Sequence, residues 1–269
     1  MSKKTSKPYV FFSDLHIDRW DRLKKERFFE FIERVEETAA GVYILGDIFD
    51  FPALKGDSIW PRHKDTVNRI LGLSRAGLPV NYLIGNHDIS LRGIEIEEFN
   101  FRLTYPDNKH PFEVELFGKK VYMEHGHYYD PLFQEHIYDA VDFLRAVTGK
   151  AVDQSATDFL RDVVRIFQRK PKHDAEKATA KEKTEVGVPE RFLKLWEEAA
   201  EQLLKKRRCD IAMFGHTHGP ALSRMLGGPQ FYVNTGDWVK HSTYVEMTET
   251  SLSLMDWIEG ATLRQEKLD

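Results

Sequence analysis

The sequence holds a single cysteine, Cys209, in 269 residues. An internal disulfide framework is therefore excluded, and a reducing compartment is the simpler expectation. Cys209 follows "KKRR" and opens an apolar run, so it reads as a buried thiol at a strand start rather than a nucleophile. Net positive charge is also lacking: 39 Lys+Arg against 43 Asp+Glu leave a formal charge of −4. Without a basic field no nucleic-acid partner is expected, and a phosphate-bearing ligand needs local charge, from a side-chain cluster or from bound cations. Long apolar runs are missing too. In "MSKKTSKPYVFFSDLH" the apolar stretch from Tyr9 to Phe12 is too short for a signal sequence, and no stretch approaches the about 20 residues of a membrane span. A soluble, cytoplasmic protein is expected, still able to touch a membrane surface.

What is present is a rhythm. Short apolar runs each end in a polar cluster: "YVFF" leads into "SDLH", "VYIL" into "GDIFD", "VNYLI" into "GNHD", "VYM" into "EHGH" and "IAMF" into "GHTH". Runs of four or five residues rich in Val, Ile, Tyr and Phe predict buried strands. Between the first two, Phe28, Ile32 and Val35 mark a helical face that Gly41 ends. Residues 62–76, with Val67, Ile70, Leu71 and Leu73, predict the next helix. Phe192, Trp196, Ala199, Leu203 and Leu204 predict another, leading into the strand near 210. After Pro111 the order changes to a hairpin turning at Gly118 and, later, antiparallel strands in "QFYVNTG" and "STYVEMTETSLSLMDW". An α/β fold with a mixed sheet, or two packed sheets, is expected. The chain is long enough for one large domain, 1–269, in which 131–188 is a helical insertion or cap. Within it, 170–189 is charged and nearly free of large apolar groups, as in a mobile surface loop.

The polar clusters gather where strands end, the usual place of sites in open α/β sheets. Their potential ligands are Asp14, His16, Asp47, Asn86, His125, His216 and His218. Strand periodicity would put His216 and His218 on one face, since alternate side chains point the same way. "H-x-H" alone is a weak metal signal, but imidazoles, an amide and two carboxylates converging without cations would be costly. A nitrogen and oxygen set without thiolate suits Mn, Fe or Zn. Seven ligands with one carboxylate shared fit two divalent ions better than one.

In this order, "DLH", "GDIFD", "GNHD", "EHGH" and "GHTH" resemble the calcineurin-like metallophosphoesterases, over residues 9–257. The resemblance implies a four-layer αββα sandwich, two mixed sheets flanked by helices. It also implies that Asp14, His16 and His218 hold the first metal, that Asp47 bridges, and that Asn86, His125 and His216 hold the second. Asp50 would support the site from behind rather than ligate. The implied chemistry is in-line attack on phosphorus by a hydroxide bridging two divalent ions, Mn before Fe or Zn. His87, beside Asn86, is placed to donate to the phosphate or the leaving group, and Asp88 to orient its ring.

The segment "VNTGDWV" at 233–239, followed by "STYVEM", is similar to the end of the UDP-2,3-diacylglucosamine pyrophosphatases, which also carry a helical insertion between "HG" and "GHTH". That resemblance implies cleavage of a pyrophosphate in a lipid A precursor at the inner membrane surface, with apolar cap helices (Phe159, Phe167 and neighbours) sheltering acyl chains. Two positions depart from it: His87 stands where the best-known members have arginine, and His127 where aspartate is common. His127 and Tyr128, with Tyr129 and Asp130 beside them, are candidates for lining the cleft. A generic phosphodiesterase or nucleotide pyrophosphatase with a different cap is the alternative. A nuclease lacks its basic stripe, and a silent binding scaffold is not expected to keep every ligand position filled.

Overall fold

The computed structural model describes residues 6–50, 59–91, 96–98, 100–106, 110–130, 190–225 and 228–268. The expected insertion at 131–188 and charged loop at 170–189 lie outside the described residues. The chain divides into two compact units, Met1–Gly126 with Val186–Asp269, and His127–Glu185. Of the second, only residues 127–130 are described: a 3-10 turn, His127–Tyr129, whose members are all buried, closed by Asp130 N–H donating to the His127 carbonyl at 3.2 Å.

In chain order the first unit contains β1 (Tyr9–Phe12), α1 (Arg22–Thr38), β2 (Gly41–Ile44), α2 (Ile59–Arg75), β3 (Val80–Leu83), β4 (Ile96–Glu98) and β5 (Phe101–Thr104). The hairpin β6 (Phe112–Leu116) and β7 (Lys119–Met123) follows, then α3 (Glu190–Arg207), β8 (Ile211–Phe214), β9 (Ala221–Arg224) and β10 (Phe231–Asn234). Three antiparallel strands end it: β11 (Thr243–Met247), β12 (Ser251–Asp256) and β13 (Ala261–Lys267). They form two mixed sheets, an eight-stranded one ordered β13-β12-β11-β1-β2-β3-β5-β4 and a five-stranded one ordered β6-β7-β8-β10-β9. The centre of each is parallel, β1-β2-β3-β5 and β7-β8-β10, so in each sheet those strands deliver their C-terminal ends to one edge.

The short apolar runs are buried on both faces, and alternation along β1 shows how. Val10 and Phe12 pack with Phe28, Phe31 and Ile32 of α1 and with Ile70 and Leu73 of α2. Phe11 points the other way, into a second core with Tyr43, Leu83, Met123, Met213 and Val233 between the sheets. On the far side of the smaller sheet Phe214 packs edge-on against Tyr122 and Tyr232, centroids 6.4 and 5.8 Å away, and α3 lies against β8 and β10. The layers are thus helices, sheet, sheet, helix, as the resemblance implied. A strand clamped between two apolar layers has no polar face, which is why its sequence does not alternate.

Helix α1 begins at Asp21, whose carboxylate accepts from Lys24 N–H at 2.7 Å, a side-chain cap on one of the first turn's free donors. Helix α2 starts three residues before the expected boundary, at Ile59. In α3 the buried residue is Ala200, not Ala199, because the stripe runs Trp196, Ala200, Leu203, Leu204, one face at helical spacing. Strands β4, β5, β9 and β13 had no sequence signal. β13, "ATLRQEK", is an edge strand almost wholly in contact with water, so nothing selects apolar residues there. Among the described residues no helix is long and apolar enough to cross a membrane.

Candidate metal centre

Each polar cluster leaves the C-terminal end of a central strand: Asp14 and His16 follow β1, Asp47 follows β2, Asn86 and His87 follow β3, His125 follows β7, and His216 and His218 follow β8. Backbone hydrogen bonds continue past the strands and fix these loops. Asp14 N–H donates to the Gly46 carbonyl at 3.0 Å, His16 N–H to Asp47 at 3.1 Å, Gly215 N–H to His125 at 3.0 Å and Trp238 N–H to Asp14 at 3.1 Å. The last two tie loops of the smaller sheet together and bring the 237–238 turn onto the first loop.

Asp14, His16, Asp47, His216 and His218 all have left-handed backbone, with φ of 53°, 41°, 56°, 65° and 58°. Such conformations cost about 1–3 kcal/mol each outside glycine and persist only where the surroundings impose them. They also correct the expectation that His216 and His218 share a strand face. β8 ends at Phe214, and each histidine turns out of an αL residue. Their rings go to different neighbours: His216 lies 5.2 Å from His125, centroid to centroid, and His218 lies 5.1 Å from His16.

Two clusters result. In the first, Asp14 Oδ1 is 3.3 Å from His218 Nε2 and 3.9 Å from His16 Nε2. In the second, Asp47 Oδ2 is 3.0 Å from His125 Nε2, while His216 Nδ1 is 3.0 Å from Asn86 Oδ1. Asp47 Oδ2 is also 3.9 Å from His16 Nε2, so this one oxygen faces both groups. Ligand atoms of Asp14, His16 and His218 lie within 4.8 Å of one another, as do those of Asp47, His125 and His216, so each group can hold an ion.

The residues present fit divalent metal. Asp14 Oδ1 and both ring nitrogens of His16 are buried and make no hydrogen bond among the described residues. Burying such groups without a partner is costly, and a cation between them removes that cost. The opposite atom of several of these side chains is already tied down. Asp14 Oδ2 accepts from Ser13 Oγ and, at 2.9 Å, from His216 N–H, leaving Oδ1 turned inward. Asp47 Oδ1 accepts from His87 N–H at 2.9 Å, leaving Oδ2. His125 Nδ1 lies 2.7 Å from the Leu45 carbonyl and donates to it, leaving Nε2. Outer partners of this kind fix ring orientation and tautomer.

The glycines of "GN" and "GH" follow from the same crowding. A Cβ on Gly85 would collide with Asp47 Oδ1, and one on Gly215 with Ser13 Oγ and, at 2.6 Å, Asp14 Oδ2. The carboxylates rest directly on glycine backbone.

Electrostatics follow from burial and charge. Burial alone would raise the Asp14 pKa, but His218 and His125 outweigh it and hold the carboxyl down at about 2. Asp47 behaves likewise, held well below the usual range against burial, chiefly by His125. Burial opposes protonation of His125, yet Asp47 and Asp14 raise it to about 10. His16 is lowered to about 4, because burial there outweighs the attraction of Asp47 and Asp14. Asp88 is raised to about 7 by burial and by repulsion from Asp47.

The partner of His87 differs from expectation. Its Nδ1 lies 2.6 Å from Asp50 Oδ1, whereas Asp88 uses both oxygens on the next loop, accepting from Ile48 N–H at 3.3 Å and Phe49 N–H at 3.0 Å. Asp88 directly follows His87 in sequence, but its carboxylate points into the buried interior and shapes the loop that carries Asp50. The His87 ring stands perpendicular to that of His16, centroids 4.8 Å apart. Burial lowers its pKa, but the Asp50 bond and the charge of Asp47 outweigh that and raise it.

Asp237, which follows β10 and was not singled out in the sequence, is fully buried, with Oδ2 3.7 Å from His218 Nδ1 and 2.8 Å from His241 Nδ1. Its "GD" at a strand end repeats the pattern of "GDIFD", a signal that could have found it. Asp18, Arg19 and His63, which reach Asp50 directly or through one another, carried no such mark. His127 and Tyr128 stack on each other at 4.0 Å within their own turn.

A model of the calcineurin-like phosphoesterases matches residues 7–220 of the chain. A UDP-2,3-diacylglucosamine hydrolase of Escherichia coli O7:K1 is 28% identical over 249 residues, covering 91% of this chain and 97% of that protein. Another protein of that description, from Xanthomonas oryzae pv. oryzae, is 27% identical over 251 residues, with 91% and 97% covered. Among solved structures, Yfce, a phosphoesterase from E. coli, superposes with a TM-score of 0.51 at 17% identity, over 97% of this chain and all of the other, and shares the fold. The family match spans every polar strand end from Asp14 to His218, and the chain belongs to the calcineurin-like phosphoesterases, as a metal-dependent phosphoester hydrolase.

Proposed function

We propose that the chain uses two divalent ions to hydrolyse a pyrophosphate, that of UDP-2,3-diacylglucosamine in lipid A synthesis. The observation that carries the two-ion reading is the place of Asp47 Oδ2, 3.0 Å from His125 and 3.9 Å from His16. Asp14, His16 and His218 would hold one ion, Asn86, His125 and His216 the other, and Asp47 both. Bound divalent ions supply Lewis acidity toward a phosphoryl oxygen and lower the pKa of water. The mixed nitrogen and oxygen donor set, free of thiolate, suits Mn, Fe or Zn, with Mn put first on the family resemblance.

The protein's own part is proton placement. With His87 Nδ1 committed to Asp50, Nε2 is the nitrogen left to donate to a phosphoryl or departing oxygen. The His87 side chain is 29% exposed, so it borders solvent from which a substrate arrives.

The lipid substrate is supported by the relatives described as UDP-2,3-diacylglucosamine hydrolases, aligned over 91% of the chain. The runner-up is a phosphodiesterase or nucleotide pyrophosphatase with another substrate, favoured by His87 at the position where the best-known members of the resembled pyrophosphatase family have arginine. Turnover of UDP-2,3-diacylglucosamine beside bis-p-nitrophenyl phosphate, with Mn added, separates them. Cleavage of the lipid at the higher kcat/KM supports the first reading; cleavage of the artificial diester alone removes it and leaves the second.

A further inference from the structure

The residues just after the ligand His16 form a 3-10 turn, Ile17–Arg19, and this turn grips the 48–50 loop at successive points. Ile17 N–H donates to the Ile48 carbonyl at 3.0 Å. Asp18 Oδ2 accepts from Asp50 N–H at 3.1 Å. Arg19 donates from Nε at 3.0 Å and from Nη2 at 2.6 Å, both to Asp50 Oδ2. Asp18 is itself seated, its Oδ1 lying 2.7 Å from His63 Nε2 on α2, with both side chains about nine-tenths buried. Asp50 is thereby held at its backbone by one residue and at one carboxylate oxygen by the next. Its remaining oxygen, Oδ1, meets His87 Nδ1 at 2.6 Å.

We propose that Arg19 is a positioning residue for His87, acting through Asp50, with Asp18 and His63 holding the backbone from which Asp50 projects. A carboxylate tied at one oxygen only by solvent is free to rotate; two donors from one planar guanidinium remove that freedom and aim the other oxygen. The Arg19 side chain is 39% exposed, so its ion pair contributes little to stability, and its effect is directional. Nη1 makes no hydrogen bond among the described residues, which raises the competing role of gripping substrate phosphate directly; the kinetics below separate the two. The inference rests on His87 serving as the proton donor proposed above.

The test uses Mn-loaded wild type, Arg19→Ala, Arg19→Lys, His87→Ala and the Arg19→Ala/His87→Ala double variant on aryl phosphodiesters of increasing leaving-group pKa. Arg19→Ala lowers kcat about 10- to 100-fold on poor leaving groups and less on p-nitrophenolate, with KM and metal content unchanged. Arg19→Lys recovers part of the loss. Once His87 is gone, removing Arg19 costs no more than about twofold further, because the two act as one unit. A raised KM with kcat retained, an equal loss on all leaving groups, or full additivity overturns the proposal. A second measurement needs no turnover. In the metal-free protein the His87 Nδ1–H resonance, identified by its absence in His87→Ala, is protected in wild type and lost to water exchange in Arg19→Ala. Its persistence in Arg19→Ala overturns the positioning role. Wild type inactive on every aryl ester and on UDP-2,3-diacylglucosamine would instead remove the proposed function, while the resonance still decides the role of Arg19.

Discussion

Asp47 Oδ2 lies 3.0 Å from His125 Nε2, joining a side chain that follows β2 of one sheet to a side chain that follows β7 of the other. Asp47→Asn keeps the shape and removes the shared charge. We expect metal content to fall from two ions to one or none per chain, and kcat/KM to fall by about three orders of magnitude or more. Elemental analysis of dialysed protein and turnover with saturating Mn check this; unchanged turnover would sink the bridging role.

The same pair sets a pH dependence in the metal-free protein. His125 is raised to about 10, so its stabilisation is complete below the unfolded value of 6.5 and is lost as pH rises toward 10. Asp14 is depressed to about 2, so its contribution is present above the unfolded value of 3.8 and lost as pH falls toward 2. Asp88, raised to about 7, adds a further loss as pH climbs from 3.8 to 7. In EDTA, Tm should therefore decline from near neutrality into alkaline pH, and Mn should restore it while releasing protons. An EDTA profile that keeps rising above pH 7 contradicts the ion pair.

Two glycines should respond oppositely to a methyl group. Gly85→Ala drives a Cβ into Asp47 Oδ1, so about 1–3 kcal/mol of destabilisation and a loss of bound metal are expected. Gly72, inside α2, has nothing within 4 Å of an added Cβ, and Gly72→Ala should stabilise by about 0.5–1 kcal/mol. Urea unfolding of both variants measures the contrast.

Asp237→Ala removes the buried carboxylate behind His218 while leaving every proposed ligand in place. Affinity for the ion proposed at Asp14, His16 and His218 should drop about 10- to 100-fold, with that for the second proposed ion little affected. Metal titration by calorimetry resolves the two sites, and equal weakening of both would show that Asp237 supports the loop as a whole.

Much of the fold was legible because burial leaves a mark in the chain. "YVFF", "VYIL" and "IAMF" are apolar on both faces, and each sits in the parallel centre of a sheet. The edge strand "ATLRQEK" left no mark, since water on its sides selects nothing periodic. At the site, the residue types were legible for the same local reason: polar side chains placed directly after buried strands.

Which atom meets which was not. Asp88, next to His87 in the chain, bonds the 48–49 backbone, while Asp50, from 37 residues away, bonds the His87 ring. His216 and His218 part company because αL backbone, rather than strand geometry, directs them. Sequence alone determined the buried strands, their polar ends and the chemistry gathered there, because those follow from short-range pattern and burial, while the choice between one mixed sheet and two packed sheets came from the family resemblance. Tertiary structure alone decided the pairing of Asp47 with both clusters, the buried Asp237 and the hold of Arg19 on Asp50. Those depend on loops from distant segments meeting within 4 Å, and on left-handed turns whose cost the surrounding contacts must offset.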